Sequence, residues 1–84
     1  MMTHELFARV SLRKDMPEKR LCRGDVGTIV EHHPASQGGE DGYSLEFFNA
    51  VGETVAIVVV AESAIEPLHR NEVLHVRQVE SSRI

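Results

Sequence analysis

Apolar and polar side chains alternate in three stretches of this chain, and a period of two is the mark of a pleated strand. In Leu6 to Leu12, Leu6, Ala8, Val10 and Leu12 fall on one face and Phe7, Arg9 and Ser11 on the other. From Asp25 to His33, Val26, Thr28 and Val30 point one way, and Asp25, Gly27, Ile29 and Glu31 the other. From Gly42 to Phe48, Tyr43, Leu45 and Phe47 alternate with Ser44, Glu46 and Phe48. A fourth stretch, Thr54 to Val60, has no polar residue after Thr54. A continuous apolar run fits a strand covered on both faces, or one whose second face awaits a cover. Ile65 to Leu68 reads as a short closing strand at an edge, because Pro67 has no N–H for a ladder.

The breaks between these stretches carry their own chemistry. Arg13 to Glu18 contains Pro17 and reads as a loop or edge, with Leu21 anchoring it to the core. Gly24 and Gly27 frame a tight turn into the second strand, and Pro34 ends that strand. Ala35 to Asp41 is polar and glycine-rich, the expected mobile tip of a hairpin. Asn49 and Gly52 suit a tight hairpin, and Glu62 to Ala64 leaves room for a single 3₁₀ turn before Pro67. The expected fold is all-β: a small closed barrel of strongly bent strands. In the tail, Val73 to Val79 has the β-branched weight of an extra strand, with Leu74 and Val76 on one face; helical spacing is the alternative. Its expected role is to cover the outer face of Thr54–Val60, within the chain or across a dimer, with Glu80 to Ile84 frayed.

The chain has 84 residues, which bounds it to one domain with a modest core. The net charge of −4 argues against nucleic acid as a default partner. The charge is uneven, however. Residues 1–24 hold six basic and three acidic side chains, and residues 25–84 three basic and ten acidic. One cysteine, Cys22, permits no internal disulfide and fits a reducing compartment. The start lacks a signal-peptide pattern, and the apolar run Val55–Ala61 is far short of the ~20 residues a membrane span needs. The expected location is the cytoplasm, with no membrane association.

Several of these segments resemble one family. The residues that carry the likeness are Leu12, Asp15-Met16-Pro17, Leu21-Cys22-Arg23-Gly24-Asp25-Val26-Gly27-Thr28-Ile29-Val30-Glu31, Gly42-Tyr43-Ser44-Leu45-Glu46-Phe47, Thr54 to Val60, and Ile65-Glu66-Pro67-Leu68. Together they resemble a family of small bacterial proteins of unknown function, DUF4926. The likeness spans roughly residues 6–68. It departs at Met16, where leucine is usual, and in a longer Pro34–Asp41 loop. The resemblance implies an SH3-like barrel of five strongly bent antiparallel strands over residues 1–68, with residues 69–84 an extension packed on the barrel or on a partner. It brings no catalytic residues.

Candidate chemistry is sparse. His32 and His33 are adjacent, so a strand sends them to opposite faces, and they cannot share one metal in regular geometry. His69 and His75 lie in the tail, where His75 could meet Glu46 or Glu53. No zinc or two-histidine-one-carboxylate spacing appears, so no metal and no cofactor is expected. Cys22 sits among Lys19, Arg20 and Arg23, which can activate a thiol, but a small half-buried side chain is the simpler role. Asp25 and Glu31 lie roughly 20 Å apart along a strand, too far for paired carboxylate chemistry.

These readings point to a non-enzymatic module that associates with itself, as a dimer, or with a partner protein. The expected interface is Phe48, Val58, Val60, Leu74 and Val76, with Gly24, Gly27 and Gly52 as structural turns. Two alternatives remain: a weak RNA- or DNA-binding barrel using Arg9, Arg13, Lys14, Lys19, Arg20 and Arg23, and a small metal- or thiol-dependent enzyme.

Overall fold

The computed structural model describes residues 4–79. In chain order it contains β1 (Arg9–Leu12), a 3₁₀ turn at Pro17–Lys19, β2 (Val26–His33), β3 (Gly42–Phe48), β4 (Thr54–Ala61), a second 3₁₀ turn at Glu62–Ala64, and β5 (Ile65–Pro67). β1 starts three residues later than the alternation predicts. Phe7 adopts a left-handed φ of 67°, its N–H donates to the Ile29 carbonyl at 2.7 Å, and the Leu6 and Phe7 side chains are exposed.

The strands form one antiparallel sheet in the order β4-β3-β2-β1-β5. Its two edges, β4 and β5, do not pair with each other, so the sheet is open. This corrects the expectation of a closed, SH3-like barrel, while the five antiparallel strands stand. The physical reason lies at the closing edge. β5 has three residues and ends at Pro67, which cannot donate to a ladder. The 3₁₀ turn before it carries the chain across to β1, where Arg13 N–H donates to the Ala64 carbonyl at 2.8 Å.

One face of the sheet holds the core. Val10, Leu12, Ile29, Tyr43, Leu45, Phe47, Val58, Val60 and Ile65 are buried together, with Leu21 and Ala64 from the connections. Leu21 is pinned as expected, by paired backbone bonds to Met16 at 2.8 and 3.1 Å. Gly24, at φ 93°, adopts a conformation that side chains resist, and its N–H returns to the Leu12 carbonyl at 2.8 Å. Gly27 is needed for a different reason: a Cβ there would meet the Phe47 ring at 2.9 Å. Gly52, also at positive φ, closes the β3–β4 hairpin, whose Asn49 Oδ1 accepts the N–H groups of Val51 and Glu53.

Two irregularities decide which side chains face out. The β2–β3 register shifts between Ile29 and Glu31, so Val30 is an extra residue. Glu31 therefore sits opposite Ser44 rather than sharing the face of Gly27 and Ile29, and His32 sits opposite Tyr43. The β3–β4 register shifts between Phe47, opposite Ala56, and Phe48, opposite Thr54, which leaves Val55 as the extra residue. Beyond it, Val58 and Val60 oppose Leu45 and Tyr43 in the core, while Ile57 and Val59 oppose Glu46 and Ser44 on the outer face.

The tail differs most from expectation. Residues 72–79 form neither strand nor helix, and Val73, Leu74 and Val76 are exposed. They do not cover β4, whose Ile57 and Val59 stay 61% and 65% accessible. Instead the Arg77 guanidinium grips Asp25 at the start of β2, with Nε to Oδ1 at 2.8 Å, and Arg77 also donates to the Arg20 carbonyl at 3.2 Å. The predicted fraying of Glu80 to Ile84 lies outside the described residues.

Candidate functional site

The outer face of β3 and β4 exposes apolar side chains that the fold does not cover. Ile57 and Val59 project from β4, and Phe48 projects from β3 diagonally across from Ile57. Between them sits Glu46, whose carboxylate accepts from the Thr54 hydroxyl. The pleat dictates this arrangement: once Tyr43, Leu45 and Phe47 take the core, their cross-strand partners follow them inward and the odd-numbered residues Ile57 and Val59 go out.

The expected interface residues thus separate. Phe48 is 47% exposed and lies on this face. Val58 and Val60 lie in the core, 4% and 6% accessible, so no surface can be built on them without unfolding. Leu74 and Val76 are exposed and belong to the tail, which forms no strand. Sequence reasoning missed Ile57 and Val59. No signal in the sequence finds them, because the faces of β4 depend on the bulge at Val55, which the all-apolar run does not mark.

The histidines are engaged in pairs. His32 Nε2 meets Asp41 Oδ2 at 2.7 Å, and Asp41 Oδ1 accepts the Ala35 N–H at 2.9 Å. The hydrogen bond from His32, then the Ala35 N–H, hold the Asp41 carboxyl below the usual carboxylate range. The ends of the Ala35–Asp41 loop are joined at this point, and Glu40 also accepts from Ser63 N at 2.9 Å. On the other face His33 Nε2 meets Ser44 Oγ at 2.8 Å, with Glu31 3.9 Å from the same nitrogen. A Ser–His–acid triad needs its acid on the opposite ring nitrogen, where it orients the base. Here the acid approaches the nitrogen that already serves the serine, and Ser44 is buried. The arrangement does not match that triad. His69 and His75 join neither pair, and His75 is not brought onto the sheet. Among the described residues no cluster of three or more histidine, cysteine or acidic side chains could hold a metal ion.

Cys22 is exposed rather than half-buried, and its N–H donates to Asp25 Oδ2 at 2.8 Å. Burial pushes the Asp25 carboxyl up, but the Arg77 guanidinium and the Cys22 N–H outweigh it, and the net shift is downward. Asp15, Pro17, Arg20, Leu21, Cys22, Arg77 and Gln78 line a shallow depression of about 430 Å³. The basic residues are scattered. Arg9 projects from β1, and Arg13 lines a second depression together with Glu40, Glu62 and Glu66. Lys14, Lys19, Arg20 and Arg23 are exposed on the loop before β2, where Asp15 accepts the Arg23 N–H at 2.8 Å and Arg77 has already closed on Asp25.

Residues 6–67 match the family described as Domain of unknown function (DUF4926), and the chain belongs to it. No curated protein and no solved structure matches the chain. Among the described residues no helix is long and apolar enough to cross a membrane.

Proposed function

We propose that this family member is a non-catalytic binding domain that meets a protein partner through the outer face of β3 and β4. The observation that carries the reading is the apolar group of Phe48, Ile57 and Val59, each about half exposed or more on adjoining strands of a rigid sheet. Exposed apolar side chains grouped on one face of a sheet mark an interaction site more often than apolar residues scattered singly do. Covering the exposed half of three such side chains is worth roughly 1 kcal/mol each. A partner therefore gains roughly 3 kcal/mol from these residues alone, before any hydrogen bond is counted. The non-catalytic reading is supported by His33, whose Nε2 faces both Ser44 and Glu31, so that the acid does not orient the ring from its opposite nitrogen.

The test is site-specific photo-crosslinking in the native cell. A photoreactive residue at position 57 should form a discrete adduct, and the same residue at the exposed loop position Gln37 should not. Ile57→Lys should weaken the association without changing the circular dichroism of the sheet. Equal labelling from positions 57 and 37, or none from either, would sink the reading.

A further inference from the structure

β4 carries more than an apolar face. It is also an edge of the sheet, so one row of its N–H and C=O groups points away from β3. The ladder shows which row. Glu62 N–H donates to the Asp41 carbonyl at 2.8 Å, which makes 41 and 62 a hydrogen-bonded pair at the end of the β3–β4 ladder. Such pairs recur at every second residue. Val60 and Val58 therefore bond to Tyr43 and Leu45, and Ile57, Val59 and Ala61 direct their backbone groups to the open edge.

Natural sheets blunt their edges with charge, proline, short length or a bulge. β5, the opposite edge, is three residues long and ends in Pro67. From Ala56 to Ala61, β4 has no such device: its side chains are all apolar, it lacks proline, and it pairs with β3 without a break. We propose that β4 pairs antiparallel with β4 of a second copy of this chain, joining two sheets into one. The proposal goes beyond the binding-domain reading, because it uses the edge of β4 and not its outer face.

Three features favour a second copy. Antiparallel pairing of β4 with itself closes on a two-fold axis and leaves the blunted β5 strands outermost, so assembly stops at two. A register centred on Val58 sets every side chain from Ala56 to Ala61 against an apolar one, and no charge in the run calls for an opposite charge on a different protein. Each copy has a net charge of −4, and the uncharged run is where two copies can approach without opposing like charges. The strip is small. Six residues of strand are about 20 Å long, and a sheet is about 10 Å thick, giving roughly 200 Å² per copy. That is well under the ~1,000 Å² of lasting complexes. The main-chain bonds carry the affinity, as in other strand additions, and the dimer dissociates on dilution.

Sedimentation over a dilution series, with amide hydrogen exchange on the same samples, tests the pairing. The expected result is a mass that rises from one copy to two with concentration, while the amides of Ile57 and Val59 gain protection in step. Val59→Pro removes an outward donor and leaves Ile57 and Phe48 in place. It should hold the protein at one copy where the wild type is paired, with the sheet intact. If that variant does not fold, Val59→Lys at the same exposed position should give the same loss by setting like charges near the two-fold axis. A single copy at every concentration overturns the pairing. So does a dimer whose Ile57 and Val59 amides exchange as fast as in dilute samples, since that dimer stacks faces and leaves the edges free. If the pure chain stays single while position 57 crosslinks to a different protein in cells, the binding-domain reading stands and the self-pairing falls.

Discussion

Replacing Gly27 by alanine probes the contact that ties β2 to the core. A Cβ at this position lies 2.9 Å from Phe47 Cζ, 3.0 Å from Cε2 and 3.2 Å from Cε1. Carbon atoms prefer about 3.5–4.0 Å, so three ring atoms must retreat at once. The ring has little room to do so, because Phe47 is 3% accessible and its neighbours Leu45 and Ile29 are fully buried. Over-packing of this kind costs about 1–3 kcal/mol. Gly27 is not at positive φ, so alanine also restricts the unfolded chain and returns about 0.4–1 kcal/mol. At mid-range values the net loss is about 1.3 kcal/mol, which in a domain of this size lowers Tm by about 5–10 °C. Thermal melts of the wild type and Gly27→Ala measure it directly. A double-mutant cycle with Phe47→Leu isolates the cause: once the ring is gone, the alanine should cost little, giving a coupling of about 1 kcal/mol or more. A Gly27→Ala protein as stable as the wild type, or strict additivity with Phe47→Leu, would refute the argument.

Two further predictions follow from the same geometry. Val58→Ala should cost about 2 kcal/mol in urea unfolding, because it opens a cavity in the core, whereas Val59→Ala should stay within about 0.5 kcal/mol. Asp25 and Asp41 are both held below their ordinary values, so the stability they supply is complete above the usual carboxylate range and is lost as pH falls through their lowered folded-state values. The urea midpoint should therefore be level from neutral pH down to that range and fall beneath it. Arg77→Ala should make the fall shallower, leaving the share that belongs to Asp41, and an unchanged acid profile would show that the Arg77–Asp25 contact does not act on folding.

The alternating segments determined a good deal. β3 lies where Tyr43, Leu45 and Phe47 place it, the 3₁₀ turn occupies Glu62–Ala64, and Leu21 anchors the loop before β2. These features are local. A strand with one buried face must alternate, and a turn must supply the backbone angles its residues permit. The faces of β4 were not legible, because an all-apolar run has no period to read and both parities fit it equally. The site inherits that ambiguity: Phe48, flanked by an alternating strand, was placed correctly, while Val58 and Val60 exchanged faces with Ile57 and Val59.

The sequence by itself marked all five strands that form and roughly where each begins, because strand formation follows from spacing and side-chain shape along a few residues, although the same signals offered an extra strand over Val73–Val79 that does not form. Only the tertiary structure decided that the sheet stays open, that Val30 and Val55 are extra residues, and that the tail is drawn by Arg77 to Asp25 instead of lying over β4. Each of those outcomes depends on which distant groups hydrogen-bond to one another. Such a choice is a competition between pairings separated by tens of residues, and no local pattern records its winner.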